Sequence, residues 1–253
     1  MIKVGFDAGH ALTTLGKRTP DNEREWTFND KVAKAFANEL ALYQRVTSRR
    51  FDDPTGQRDI SLQERSDGAN QWGADYYISF HHNANTSRWG DWTGVETYVY
   101  LGNKSTTSGK LAAAIHPAVV NAYGLRDRGI KEANFHILRE TNMPSILIEG
   151  GFMDSRIDIK KLRDDQVLEK VGRMVAQNFA NFVGLKKIAF VNKEVQEMPQ
   201  QFLNETGRNE AKEMIRRGVK ENLFHEKHEK VDEYNDIQLL SYALAYINRK
   251  TKN

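Results

Sequence analysis

The chain has 253 residues, 39% of them hydrophobic and 28% charged, with 37 Lys and Arg against 34 Asp and Glu for a formal charge of +3. That balance is too even to mark a nucleic-acid binder, and no run approaches the roughly 18 apolar residues of a membrane-spanning helix. With no cysteine present, disulfides and thiolate metal sites are excluded, so any metal must be held by His, Asp and Glu.

Ile2 to His10 is a short apolar run closed by Gly9 and His10. It reads as a buried strand that delivers His10 to the carboxyl edge of a sheet, where open α/β sheets place their sites. Gly9 allows a sharp backbone turn. The chain enters this strand at once, without the basic start and apolar core of a signal peptide, which predicts synthesis in the cytoplasm. Ala11 to Arg24 is polar and long, a loop over the site. Phe28, Val32, Phe36 and Leu40 recur every four residues and predict one apolar face of a helix from Glu25 to Tyr43. A strand over Gln44 to Phe51 follows, then turn chemistry at Asp52 to Gly56. Ser61-Leu62-Gln63-Glu64 has the spacing of a capping box and starts a helix that runs to Trp72.

Tyr76 to Phe80 predicts a strand that runs into His81, His82 and Asn83, and Gly94 to Leu101 predicts another. Ser105 to Gly124 is helical in pattern, with a kink or break expected at Pro117. Phe135 to Leu138 reads as a short strand that holds His136, and Ser145 to Glu149 as a buried strand. Asp165 to Val183 is a last amphipathic helix. Strands alternating with helices predict an α/β domain over residues 1–184, a mostly parallel twisted sheet flanked by helices on both faces. Residues 185–200 read as a linker. Residues 201–253 read as a small, mainly helical C-terminal module, with helices over Glu205 to Lys220 and Asn235 to Arg249, near the lower size limit for independent folding.

His10, His81 and Glu149 each close a predicted strand, and Glu25 opens the helix after the first loop. Zinc in hydrolases commonly takes three ligands of His and carboxylate type and leaves a fourth place for water. A further carboxylate, not bound to metal, can then move the proton. Ligands on separate elements carry no local spacing signature, so this set suggests a zinc-assisted hydrolase without specifying one.

The same residues lie in a longer series: Asp7-Ala8-Gly9-His10, Glu25-Trp26-Thr27-Phe28-Asn29, Leu62-Gln63-Glu64-Arg65, Ile78-Ser79-Phe80-His81-His82-Asn83-Ala84, Gly94-Val95-Glu96-Thr97, Arg128-Gly129-Ile130-Lys131 and Ile146-Leu147-Ile148-Glu149-Gly150-Gly151-Phe152. In this order they closely resemble the zinc-dependent N-acetylmuramoyl-L-alanine amidases of bacterial cell-wall hydrolases and phage endolysins. The resemblance implies that His10, Glu25 and His81 bind Zn2+ and that Glu149 is the catalytic carboxylate. Glu23 competes for the middle ligand position, but Glu25 has Asn29 at the family's offset. The substrate implied is peptidoglycan, cut at the amide between N-acetylmuramic acid and L-alanine after the enzyme is released to the wall. A phage or prophage endolysin, a sporulation or autolysis amidase, and a zinc peptidase or deacetylase acting on wall material are the readings to be separated. The chain departs from many relatives at Ala11-Leu12, where Gly commonly follows the first His.

His82 neighbours His81 on a strand and points to the opposite face, so it does not share the metal. Asp7 either accepts from a ligand His or caps a turn, and Arg65 holds a carboxylate or a carbonyl. Glu96 either lines the groove or is solvated. Asn83 is expected to fix the loop behind His81 and, with His136, to contact substrate, and Arg128 and Lys131 to meet carboxylates of a peptide stem. Trp89 and Trp92 offer indole faces to a sugar or pack within their loop. His225 and His228 sit in a Lys- and Glu-rich run and read as solvated. The tail is expected to bind the wall, to pair two copies as a homodimer, or to be a passive extension.

Overall fold

The structure, a computed structural model, describes residues 1–188, 205–221 and 231–234, with 239, 242 and 243. The chain divides into two units, Met1–Ile188 and Ala189–Asn253. The first holds six strands, β1 (Ile2–Ala8), β2 (Val46–Arg50), β3 (Tyr76–Asn83), β4 (Val95–Val99), β5 (Asp127–Glu132) and β6 (Ser145–Phe152), in the order β2-β1-β3-β6-β4-β5. All neighbours are parallel except β4 and β6. The helices are α1 (Glu25–Leu40), α2 (Leu62–Trp72), α3 (Thr107–Tyr123), α4 (His136–Glu140), α5 (Ile159–Leu162) and α6 (Asp165–Phe182).

Alternation along the strands explains the layers. Phe6, Ile78, Phe80, Ile146 and Ile148 bury one face against Val32 and Phe36 of α1, Ile115 of α3 and Val175 of α6. Tyr77 and Leu147 face the other way and meet Ala69 of α2 with Ile137 and Leu138 of α4. Helices thus cover both faces, as a mostly parallel sheet requires. The strand order also positions the site. From β1 the chain passes to β2 on one side and then to β3 on the other. The carboxyl ends of β1 and β3 therefore flank a topological switch point, where such sheets open a crevice.

Several predicted elements change. Phe135 to Leu138 is not a strand: His136 opens α4, which packs Ile137 and Leu138 against Ala69 of α2. Pro117 does not break α3, which runs through it to Tyr123. The buried side chains of Ile115, His116 and Val119 hold the helix on either side. β3 continues past Phe80 to Asn83 because pairing with β6 continues, His81 opposite Glu149 and Asn83 opposite Phe152. β5 has no counterpart in the sequence reading. It is an edge strand with a Gly and few apolar residues, so neither propensity nor alternation marks it. The Ser61–Glu64 capping box is present as expected.

In the second unit, helix α7 (Glu205–Lys220) packs Ala211 and Ile215 with Val231, Leu239 and Ala243. The helix expected over Asn235 to Arg249 lies largely outside the described residues, as do His225 and His228. Among the described residues, no helix is long and apolar enough to cross a membrane.

Candidate functional site

His10, Glu25 and His81 come from three elements and meet at the switch point. Glu25 presents one oxygen to each imidazole: Oε2 lies 3.3 Å from His10 Nε2 and Oε1 lies 3.1 Å from His81 Nδ1. All three donor atoms lie within 4.8 Å of one another. Tetrahedral ligation at about 2.0–2.1 Å places ligand atoms roughly 3.3 Å apart, so two imidazole nitrogens and a carboxylate in this arrangement suit a zinc-like dication. The backbone is shaped for it. His10 has φ of 65°, a left-handed conformation that costs a non-glycine residue energy and recurs at functional sites. Gly9 leaves the space that the His81 ring occupies, since a Cβ there would stand 2.1 Å from His81 Cε1.

A second layer holds the ligands. Arg65 is buried and donates from Nη1 to Asp7 Oδ2 and the Ala8 carbonyl (2.8 Å each) and from Nη2 to the His10 carbonyl at 3.0 Å. Asp7 is thus the partner of Arg65, and Arg65 clamps the turn that carries His10. Asn29 Nδ2 donates to the Gly9 carbonyl (3.0 Å) and to Glu25 Oε1 (3.3 Å). Its Oδ1 lies 2.7 Å from His82 Nδ1, whose other ring nitrogen lies 2.7 Å from the Tyr123 hydroxyl. His82 therefore points away from His10 and His81, as the strand alternation predicts. Sequence reasoning missed the His82–Tyr123 contact. Its members lie 41 positions apart and carry no common motif.

Glu149 is the register partner of His81 on β6, so both side chains share a face. Its Oε2 is buried without a hydrogen-bond partner among the described residues. Burial pushes the Glu149 carboxyl up to about 8, with nearby His81 opposing and the Glu25 charge adding to the rise. Burial also lowers His10 to about 4, which leaves its imidazole in the neutral, ligating form. Glu25 is buried too, which opposes its ionisation, yet its hydrogen bond to His81 and the electrostatic pull of the two imidazoles hold it down at about 2.

The raised Glu149 value has a testable consequence in zinc-free protein. A carboxyl that binds its proton more tightly when folded adds stability below its unfolded pKa, and that stability is lost as pH rises through the folded value. Between about pH 4.5 and 8, chelated wild type is expected to lose more Tm than chelated Glu149→Gln, whose side chain does not titrate. Parallel Tm-against-pH curves would rule out this account of Glu149.

The other expected residues are spread more widely. Asn83 receives the Ala84 N–H on Oδ1 at 2.8 Å, which ties the loop behind His81, and its Nδ2 donates to Glu96 at 3.3 Å. Glu96 is not solvated: it is buried and bonded to Arg128 and Lys131. His136 lies 3.2 Å from Ser66 Oγ at the α2–α4 contact, outside the His10–Glu25–His81 group. Glu23 is exposed and bonded to Arg163 at 2.8 Å. Trp92 turns its indole N–H inward to buried Asp154 at 2.8 Å, and Trp89 packs against the core. For both, loop packing prevails over an exposed stacking face.

With this geometry in view, likeness to known proteins becomes informative. The pattern of the family described as N-acetylmuramoyl-L-alanine amidase matches residues 4–181, most of the chain. The chain belongs to the N-acetylmuramoyl-L-alanine amidase family. It is 35% identical over 190 residues to the N-acetylmuramoyl-L-alanine amidase CwlM of Bacillus licheniformis, covering 75% of this chain and 72% of that one. It is 34% identical over 190 residues to the endolysin of Bacillus phage SPP1, covering 73% and 67%. The crystal structure of the N-acetylmuramoyl-L-alanine amidase from Clostridium difficile 630 superposes with a TM-score of 0.67 at 30% identity, covering 72% of this chain and 97% of that one. In each case the share of this chain is close to that of its first unit.

Proposed function

We propose that this family member hydrolyses the amide between N-acetylmuramic acid and L-alanine in peptidoglycan, with zinc held by His10, Glu25 and His81 and with Glu149 as acid–base group. The observation that carries the reading is the buried oxygen of Glu149, without a partner among the described residues, on the same sheet face as His81 and beside a three-donor cluster. When bound there, zinc supplies Lewis acidity, which polarises a carbonyl and brings the pKa of a water towards about 7. Glu149 Oε2 takes the proton of the attacking water and returns it to the departing amino group of L-alanine. Asn29 and the His82 backbone N–H, both on Glu25 Oε1, keep the carboxylate between the two imidazoles. Arg65 holds the His10 carbonyl, so the strained turn cannot relax. The setting we propose is wall lysis of the endolysin kind, supported by similarity to the SPP1 endolysin along 73% of the chain.

Mass spectrometry of digested peptidoglycan tests the bond cleaved. The expected products carry free L-alanine amino termini and no new reducing sugar ends. They should vanish with chelator and return with added zinc. A cut within the peptide, or loss of an acetyl group without chain cleavage, would replace this reading with a peptidase or a deacetylase.

A further inference from the structure

One strand over from Glu149 lies a second buried carboxylate, Glu96. The two stand directly opposite each other in the antiparallel β4–β6 pair, so their side chains share a face with His81. β5 then departs from simple alternation. Asp127 opposes Val95 and Ile130 opposes Thr97, so Arg128 and Gly129 together face the single residue Glu96. Gly129 has φ of 83°, the left-handed geometry that such a bulge needs. The extra residue puts Arg128 and Lys131 on the same side as Glu96. Without it, Lys131 would point to the opposite face.

Glu96 binds both cations on one oxygen, Arg128 through Nε and Lys131 through Nζ at 2.6 Å. Its other oxygen accepts from the Tyr98 hydroxyl and from Asn83 Nδ2. The carboxylate is 3% exposed, while Arg128 and Lys131 are 31% and 38% exposed. One buried anion thus holds two cations whose outer edges reach solvent, and one positive charge is left over. Arg128 also lies over the Phe152 ring at 5.1 Å, a cation–π contact that helps hold the guanidinium in place.

We propose that Glu96 holds Arg128 and Lys131 as a preformed receptor for a free carboxylate in the first few residues of the substrate's peptide stem. The inference rests on the amidase reading. In N-acetylated glycan the sugars are uncharged, and the lactyl carboxyl is used up in the scissile amide. The nearest negative charge is therefore on the peptide. Strands lie about 4.8 Å apart, so β5 is roughly 10 Å from the β6 strand that carries Glu149, the span of about three extended residues. Glu96 is a positioning residue in this scheme.

The test uses the zinc-loaded full chain and two soluble muramoyl peptides that differ only in a free carboxylate or its carboxamide at the second stem residue. Charge-assisted hydrogen bonds of this type favour the carboxylate peptide in kcat/KM by about tenfold or more, chiefly through KM. Lys131→Gln and Arg128→Gln each bring that ratio towards one. Should Arg128→Gln fail to fold, the wild-type ratio and the Lys131 variant decide. Glu96→Gln lowers the ratio with zinc content intact, because the cations lose their common anchor. A ratio raised in Glu96→Gln would make Glu96 a mere opposing charge and overturn its assignment. Equal cleavage of both peptides by wild type overturns the receptor while the amidase reading stands. Cleavage of neither overturns the amidase reading, and the receptor with it.

Discussion

Glu149→Gln is expected to lower lysis of purified cell walls by about 10²–10⁴-fold while zinc content stays at the wild-type level. Gln keeps the shape of the side chain but cannot take a proton from water or return one to an amine. His10, Glu25 and His81 are untouched by the change, and none of them hydrogen-bonds Glu149 Oε2, which has no partner among the described residues. A carboxyl with that isolation contributes little to holding the fold. In the metal-free protein burial pushes its pKa up to about 8, so after chelation replacing it by a neutral amide is expected to leave Tm equal or higher at neutral pH. Wall turbidity, bound zinc and Tm measured on one preparation separate the outcomes. Full lytic activity in Glu149→Gln would remove this residue from the mechanism.

Gly9→Ala is expected to be as damaging, although it changes no ligand. The new Cβ would lie 2.1 Å from His81 Cε1 and 2.4 Å from both ring nitrogens. Retreat of the backbone is blocked on three sides. The Gly9 N–H donates to the Phe80 carbonyl at 2.8 Å, the Gly9 carbonyl accepts from Asn29, and Arg65 holds the next carbonyl. The imidazole must move instead, and displacement of about 1 Å in a catalytic group costs on the order of 100-fold in rate. Zinc affinity measured by competition with a chelator should fall by roughly 10–100-fold, with an unchanged circular dichroism spectrum. Wild-type affinity in this variant would show that the His81 ring does not need the space. Gly9 reads in the sequence as a turn-former. In the folded protein its main service is to a side chain 72 positions away.

Much of the fold was legible because it depends on local pattern. The four-residue recurrence of Phe28, Val32, Phe36 and Leu40 marked α1, the Ser61–Glu64 spacing marked the start of α2, and the apolar runs before His10 and Glu149 marked β1 and β6. Candidate ligands were legible through ordered resemblance to a family, since nothing in their spacing reveals that four distant residues meet. β5 and α4 were not legible. The first is stabilised by pairing at a sheet edge rather than by its own composition, and the second by packing on α2. Side-chain partners were harder still. Arg65 on Asp7 and Glu96 between two cations join residues whose separation in the chain carries no signal.

The sequence by itself thus determined the α/β class, the main helices and central strands, and the chemical types available to the site, because periodicity and residue chemistry are properties of neighbours along the chain. Only the tertiary structure decided that Gly9 makes room for His81, that His82 turns away to Tyr123, and that a bulge in β5 brings Arg128 and Lys131 onto Glu96. Those outcomes depend on strand order and register, which set distances between residues far apart in sequence.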